Sequence, residues 1–150
     1  MNAKWVRFGC AIAAAAAAGF TIHILYGRGW VIEYVQLAAA SGRLNEVLRE
    51  PYPSWLVVLA GVTALLPAAG KVLGYWLLQD RLPGRRPWQK GLVYGLLLLL
   101  MSDALLRSPI MNFAVGNPPG VVLVQSAEAW LIYAVTGILI GTIVPPRRST

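Results

Sequence analysis

The stretch Val121–Val144, VVLVQSAEAWLIYAVTGILIGTIV, carries one charged residue, Glu128, in 24 positions. An α-helix rises about 1.5 Å per residue, so a run of this length crosses a bilayer core of roughly 30 Å. Its backbone groups are satisfied internally, as a membrane interior requires. Three further runs read the same way: Trp5–Tyr26, Ser54–Leu78, and Leu92–Leu106 with a continuation to Val115. Nothing else in the chain is long enough. Trp5, Tyr26, Trp30, Trp55, Trp76 and Trp88 fall near the edges of these runs, where an amphipathic ring bridges headgroup and hydrocarbon. The expected fold is therefore an all-α integral membrane protein with a single membrane domain over residues 1–150. It is a four-transmembrane-helix bundle with spans at about 5–26, 54–78, 92–115 and 121–144 and an outer loop at 27–53.

Composition agrees with that expectation. Hydrophobic residues make up 57% of the 150 and charged residues 13%, about half the charged share of a soluble domain, which also excludes disordered, collagenous and coiled-coil chains. A net charge of +7 raises the question of nucleic acid. The basic residues, however, gather at the ends of apolar runs instead of forming a stripe along one helix, so no nucleic-acid partner is expected. Cys10 is the single cysteine, which rules out an intramolecular disulfide, a CxxC pair and a cysteine-based zinc site.

Lys4 and Arg7 before an alanine-rich run, Ala13–Ala18, imitate a secretory signal. The apolar run continues past the alanines through Phe20, Ile22, Ile24 and Leu25, so an anchored first helix is the expectation. Basic residues then set the sidedness. Lys4, Arg7, Arg81, Arg85, Arg86, Lys90, Arg147 and Arg148 fall on one side, eight against the four of Arg28, Arg43, Arg49 and Arg107. Both termini are expected in the cytoplasm of a cell with a bacterial-type inner (plasma) membrane. The turn from Arg81 to Lys90 would rest on anionic lipid as a topology signal.

In the outer loop, Trp30, Val31, Tyr34, Val35 and Ala38 recur at helical spacing opposite Glu33 and Gln36, which predicts a helix in the interface plane ended by Ser41 and Gly42. A second short helix around Leu44, Val47 and Leu48 would stop at Pro51 and Pro53. Inside the spans, small residues four apart allow helices to approach closely. Such pairs are Gly70 with Gly74, Gly91 with Gly95, and Gly137 with Gly141, all in the cytoplasmic halves, with Gly9 and Ala13 at a similar level in the first span. Tight packing is expected at that end and more room at the other.

Charged residues at membrane depth cost about 2.5–3.5 kcal/mol each on insertion scales and need a partner or a wet cavity. Lys71, Asp103, Arg107 and Glu128 are such residues. Asp103 and Arg107, four apart, share a helix face. The sequence expectation is that Asp103, Arg107 and Glu128 converge in an outward-opening cavity with Gln125, His23 and Asn112 as further ligand-binding residues. Lys71 would reach toward Asp103 or snorkel to the inner headgroups. Asp103 and Glu128 are the candidates for acid/base chemistry, and a structural ion-pair network that fixes helix register is the alternative. Glu128 lies about 180° around the fourth span from Gly137 at 100° per residue, so that span must be contacted on two faces, either as the centre of the bundle or through another protomer.

A lone histidine supplies neither a metal site nor a bis-histidine haem, so no metal and no cofactor are expected, and no GxSxG, HExxH or phosphate loop is present. The leading functional expectation is a small polytopic protein that binds a polar or lipid-like ligand, or serves as an accessory subunit of a membrane complex. A membrane-embedded enzyme acting on a lipid or lipid-linked substrate comes second, and a proton- or ion-coupled small transporter third. Membrane lipid is an expected partner, with a second copy or a partner subunit meeting the fourth span. Cysteine labelling tests the topology: Arg85→Cys should react only from the cytoplasm and Glu46→Cys only from outside, and labelling of both from one side overturns the assigned orientation.

Overall fold

The computed structural model describes residues 3–26, 30–42, 58, 61–114 and 116–145. Among them six helices follow in order: α1 (Ala3–Tyr26), α2 (Trp30–Ala40), α3 (Leu65–Leu78), α4 (Pro87–Met101), α5 (Arg107–Ala114) and α6 (Pro119–Ile143). The expected second helix of the long loop, the Ser54–Trp55 start of the second span, and Arg147–Arg148 lie outside the described residues. Ala3–Tyr26, Gly61–Leu78 and Pro119–Ile143 are each long and apolar enough to cross a bilayer, which points to an integral membrane protein. Their outer surfaces agree: Leu66 in the second is 80% exposed and Leu123 in the third 60%, tolerable in lipid and unfavourable in water.

The third apolar run departs from expectation, because the continuous helix predicted over 92–115 is two helices. Pro109 is the physical reason on one side of the break. It has no N–H to give to the Leu105 carbonyl and its ring crowds that carbonyl, so a helix cannot run unbroken through this turn. Ser102 ends α4 from the other side. Its backbone is extended, with φ −92° and ψ 160°. Its hydroxyl donates to the Leu99 carbonyl at 2.8 Å and accepts from the Ala104 N–H at 3.3 Å, offering local bonds that compete with the helix. The chain restarts at Arg107, where the Ser108 N–H bonds the Asp103 carbonyl at 2.8 Å.

α6 is the centre, touching α1, α2, α3, α4 and α5. Its two long neighbours run antiparallel to it on different faces. Along α1, Arg7 Nε donates to the Ile143 carbonyl at 2.9 Å, Gly19 faces Ile132 and His23 meets Glu128, so the pair stays in register over its whole length. Ala11 and Ala15, almost fully buried, belong to one core cluster with Ile140 of α6 and Ala68 and Val72 of α3. Along α4, Gly91 and Gly95 lie directly on Gly137 and Gly141, backbone against backbone. A Cβ built on Gly137 would sit 2.8 Å from the Gly95 Cα, and one on Gly141 2.6 Å from the Gly91 Cα. The two-sided contact expected of this helix is thus met within one chain.

The third glycine pair behaves differently. Gly74 is covered by the Tyr94 hydroxyl, which donates to the Lys71 carbonyl at 2.8 Å, while nothing lies within 4 Å of a Cβ on Gly70. The start of α1, the end of α3, the start of α4 and the end of α6 gather at one end, called here the basic end because Lys4, Arg7, Arg81, Arg85, Arg86 and Lys90 belong to it. Buried Gln79 ties this end together, donating to the Trp76 and Pro145 carbonyls while its own carbonyl accepts from Lys90 Nζ at 2.9 Å. At the other end α2 crosses the start of α6, with Tyr34 against Gly120 and Ala38 packed on Val121, while Glu33 and Gln36 face outward.

The glycine contacts yield a paired prediction. Gly137→Ala should destabilise the protein by about 1–3 kcal/mol through overpacking against a backbone that cannot move aside. Gly70→Ala should be neutral or stabilising by up to about 1 kcal/mol from helix propensity alone. Thermal unfolding of both variants in one detergent checks the pair, and equal effects would show that the α4–α6 contact is not tight.

Candidate functional site

Halfway along α6 the polar groups divide into two pairs. On one side Arg107 Nη1 donates to Asp103 Oδ2 at 2.9 Å, spanning the break between α4 and α5. On the other, His23 Nδ1 and Glu128 Oε1 are 2.7 Å apart, joining α1 to α6. The helix itself separates them. Trp130 Nε1 donates to the Ala104 carbonyl at 3.2 Å, which places the break against the Trp130 face, and Glu128 lies about 200° around the helix from Trp130. Asp103 and Arg107 are therefore brought together as expected from their spacing, whereas Glu128 goes to histidine instead of completing a three-residue cluster.

The two pairs sit in different surroundings. The Asp103 and Arg107 side chains are 71% and 72% exposed, facing away from the helices. An ion pair this open contributes at most about 1 kcal/mol in water. Glu128 is mostly covered, at 22%, while His23 is exposed at 69%. Gln125, one turn from Glu128 on the same side of α6, is exposed. Asn112 lies apart from both pairs, because its Oδ1 accepts from Asn117 Nδ2 at 3.4 Å and its carbonyl from the Asn117 N–H at 3.1 Å, fastening the turn between α5 and α6. Lys71 neither reaches Asp103 nor runs to the basic end. Its ammonium lies 5.0 Å from the centre of the Tyr133 ring, a cation held against a π face inside the bundle.

The backbone between Ser102 and Leu106 is the unusual element of the site. Unwound chain at membrane depth survives only where protein or water satisfies its polar groups. Here the Ser102 hydroxyl, the Ser108 N–H and the Trp130 indole supply bonds to it. Trp130 was not among the candidate residues read from the sequence. It did carry a signal: it is the tryptophan placed in the middle of a span, where an N–H without an acceptor would be unfavourable. Among the described residues no group of three or more histidine, cysteine, aspartate or glutamate side chains stands close enough to hold a metal ion.

Trp130→Phe keeps the ring and removes the N–H. It should cost about 1 kcal/mol, the ordinary net value of one hydrogen bond. It should also raise amide exchange selectively between Ser102 and Ser108, and a uniform rise across the protein would show that the indole does not brace the break. In comparison with known proteins, the chain matches no family model, no curated protein and no solved structure.

Proposed function

We propose that the protein is a small membrane-embedded binding protein whose ligand, polar or lipid-like, is taken at the break between α4 and α5. The single observation that carries this reading is the exposed Asp103–Arg107 pair on unwound chain halfway along α6. Charges at such a depth are stable only when something polar covers them. A ligand offering an acceptor to Arg107 and a donor to Asp103 supplies that cover. If the basic end is cytoplasmic, as the eight-to-four distribution of basic residues supports, the break belongs to the outer half of the third apolar run, formed by α4 and α5 together. The glycine contact closes the inner half, so the ligand enters from the outer leaflet side. A partner subunit covering the same pair is the accessory form of this reading.

A second reading, an enzyme acting on a lipid or lipid-linked substrate, draws on the Glu128–His23 pair. A carboxylate and an imidazole 2.7 Å apart have the geometry for passing a proton.

Asp103→Asn separates binding from architecture. Because the amide oxygen of asparagine still accepts from Arg107, the substitution should leave helicity intact and the melting temperature near that of the parent, while co-purifying lipid or a stoichiometric partner is lost. Strong destabilisation, reversed by exchanging Asp103 and Arg107, would make the pair a structural tie and sink the proposal. Loss at Glu128→Gln with Asp103→Asn unaffected would favour the enzyme.

A further inference from the structure

At the basic end, the turn between α3 and α4 borders a groove of about 760 Å³. Its polar mouth is formed by Gly84, Arg85, Arg86 and Gln89. Gly84 has a φ of +132°, and a Cβ there would lie 3.0 Å from the Lys90 nitrogen, so only glycine lets the chain fold back this tightly over the start of α4. Most backbone donors at that start are already used, because Gln89 Oε1 accepts from the Arg85 N–H at 3.0 Å and the Arg86 N–H at 2.9 Å, the Gln89 N–H bonds the Arg86 carbonyl at 3.0 Å, and Pro87 has none. An anion in the groove would therefore be held mainly by the two guanidinium groups. Both arginines are exposed, and neither has an ion-pair partner among the described residues. Lys90, by contrast, is bonded to the Gln79 carbonyl.

The remaining lining shows which anion fits. Leu92 and Val93 follow Gln89 at three and four residues, on the same face of α4, so the groove changes from cationic to apolar along the direction in which a helix enters a bilayer. Trp88 stands beside the mouth, 40% exposed, in the position of an interfacial anchor. A free inorganic anion would use the arginines and leave the apolar half empty. A phospholipid uses both. No acidic residue is among the described lining, so the charge of a phosphate is unopposed. Two arginines can each offer a planar pair of donors to phosphate oxygens.

We infer that this groove is a site for an anionic phospholipid, its phosphate between Arg85 and Arg86 and its upper acyl chain along Leu92 and Val93. The inference rests on the membrane reading of the chain and is independent of the ligand assigned to Asp103 and Arg107, which lies toward the other end. The test is native mass spectrometry of the delipidated full-length protein with added phosphatidylglycerol, phosphatidylcholine, or phosphatidylglycerol in competition with inorganic phosphate. One phosphatidylglycerol should be retained at least tenfold in preference to phosphatidylcholine, and equimolar inorganic phosphate should not displace it. Arg85→Ala with Arg86→Ala should reduce retention at least tenfold, while Arg81→Ala, an exposed basic residue just upstream on the same turn, should stay within twofold of the parent. Equal retention of the two lipids, displacement by phosphate, or equal losses in the Arg81 and double variants would each overturn the site. If the double variant fails to keep parental helicity, the two-lipid comparison on the parent protein decides alone.

Discussion

Where Gly91 and Gly95 meet Gly137 and Gly141, two helix backbones touch with no side chain between them. In a bilayer such contact is worth more than it would be in water. Lipid tails solvate leucine as well as another leucine does, so apolar side chains alone give helices little reason to associate, and close backbone approach supplies dispersion that lipid cannot match. With α4 fixed on one face of α6 and α1 on another through the Arg7–Ile143, Gly19–Ile132 and His23–Glu128 contacts, the remaining described elements have a fixed surface to pack on. α3 joins through Val72 and Tyr75, and α2 through Ala38 on Val121.

That contact also shapes where polarity is tolerated. The two helices cannot separate at the basic end, and the chain above α4 is freed from helical geometry once Ser102 and Pro109 intervene. The result is a helix pair that is closely joined along one half and loosely bonded along the other. The Ala104 carbonyl and the Asp103–Arg107 pair occur in the loose half, where a short stretch of irregular backbone is held by single hydrogen bonds instead of by packing. Glu128 is excluded from that neighbourhood by the pitch of α6, which turns its carboxylate toward α1 and His23.

Much of this could be read from residue order. The apolar runs, the helix at Trp30–Ala40 and its stop at Ser41–Gly42, the use of two faces of the last span, and the pairing of Asp103 with Arg107 all follow from periodicity and spacing, which are local properties of the chain. The break at Ser102 is partly legible, since Pro109 lies within the third apolar run and a proline kinks a helix, but the chain unwinds before the proline. The lost hydrogen bond belongs to the carbonyl one turn earlier, and the serine and aspartate before it unwind the chain further. Gly70 misled for another reason. A small-xxx-small pair states only that a close approach is sterically allowed, and whether a neighbour uses it depends on the whole arrangement. The roles of Trp130 and of the Glu128–His23 pair depend on which residues from distant segments share a level, and spacing within one segment does not contain that information.

The central helix is also the one that follows the other five in the chain. A protein is made from its N-terminus, so α1, α3 and α4 exist before the surface of α6 that joins them is made. Among the described residues, the packing that does not involve α6 is chiefly that of α1 on α3 and of Tyr94 of α4 on Gly74 and Tyr75 of α3. Until α6 is in place, Gly91 and Gly95 form an open furrow, and the break beyond Met101 lacks the indole that bonds the Ala104 carbonyl. Assembly of this protein is consequently back-loaded, because α1 and α4 gain their shared surface only when the last long helix takes its place between them.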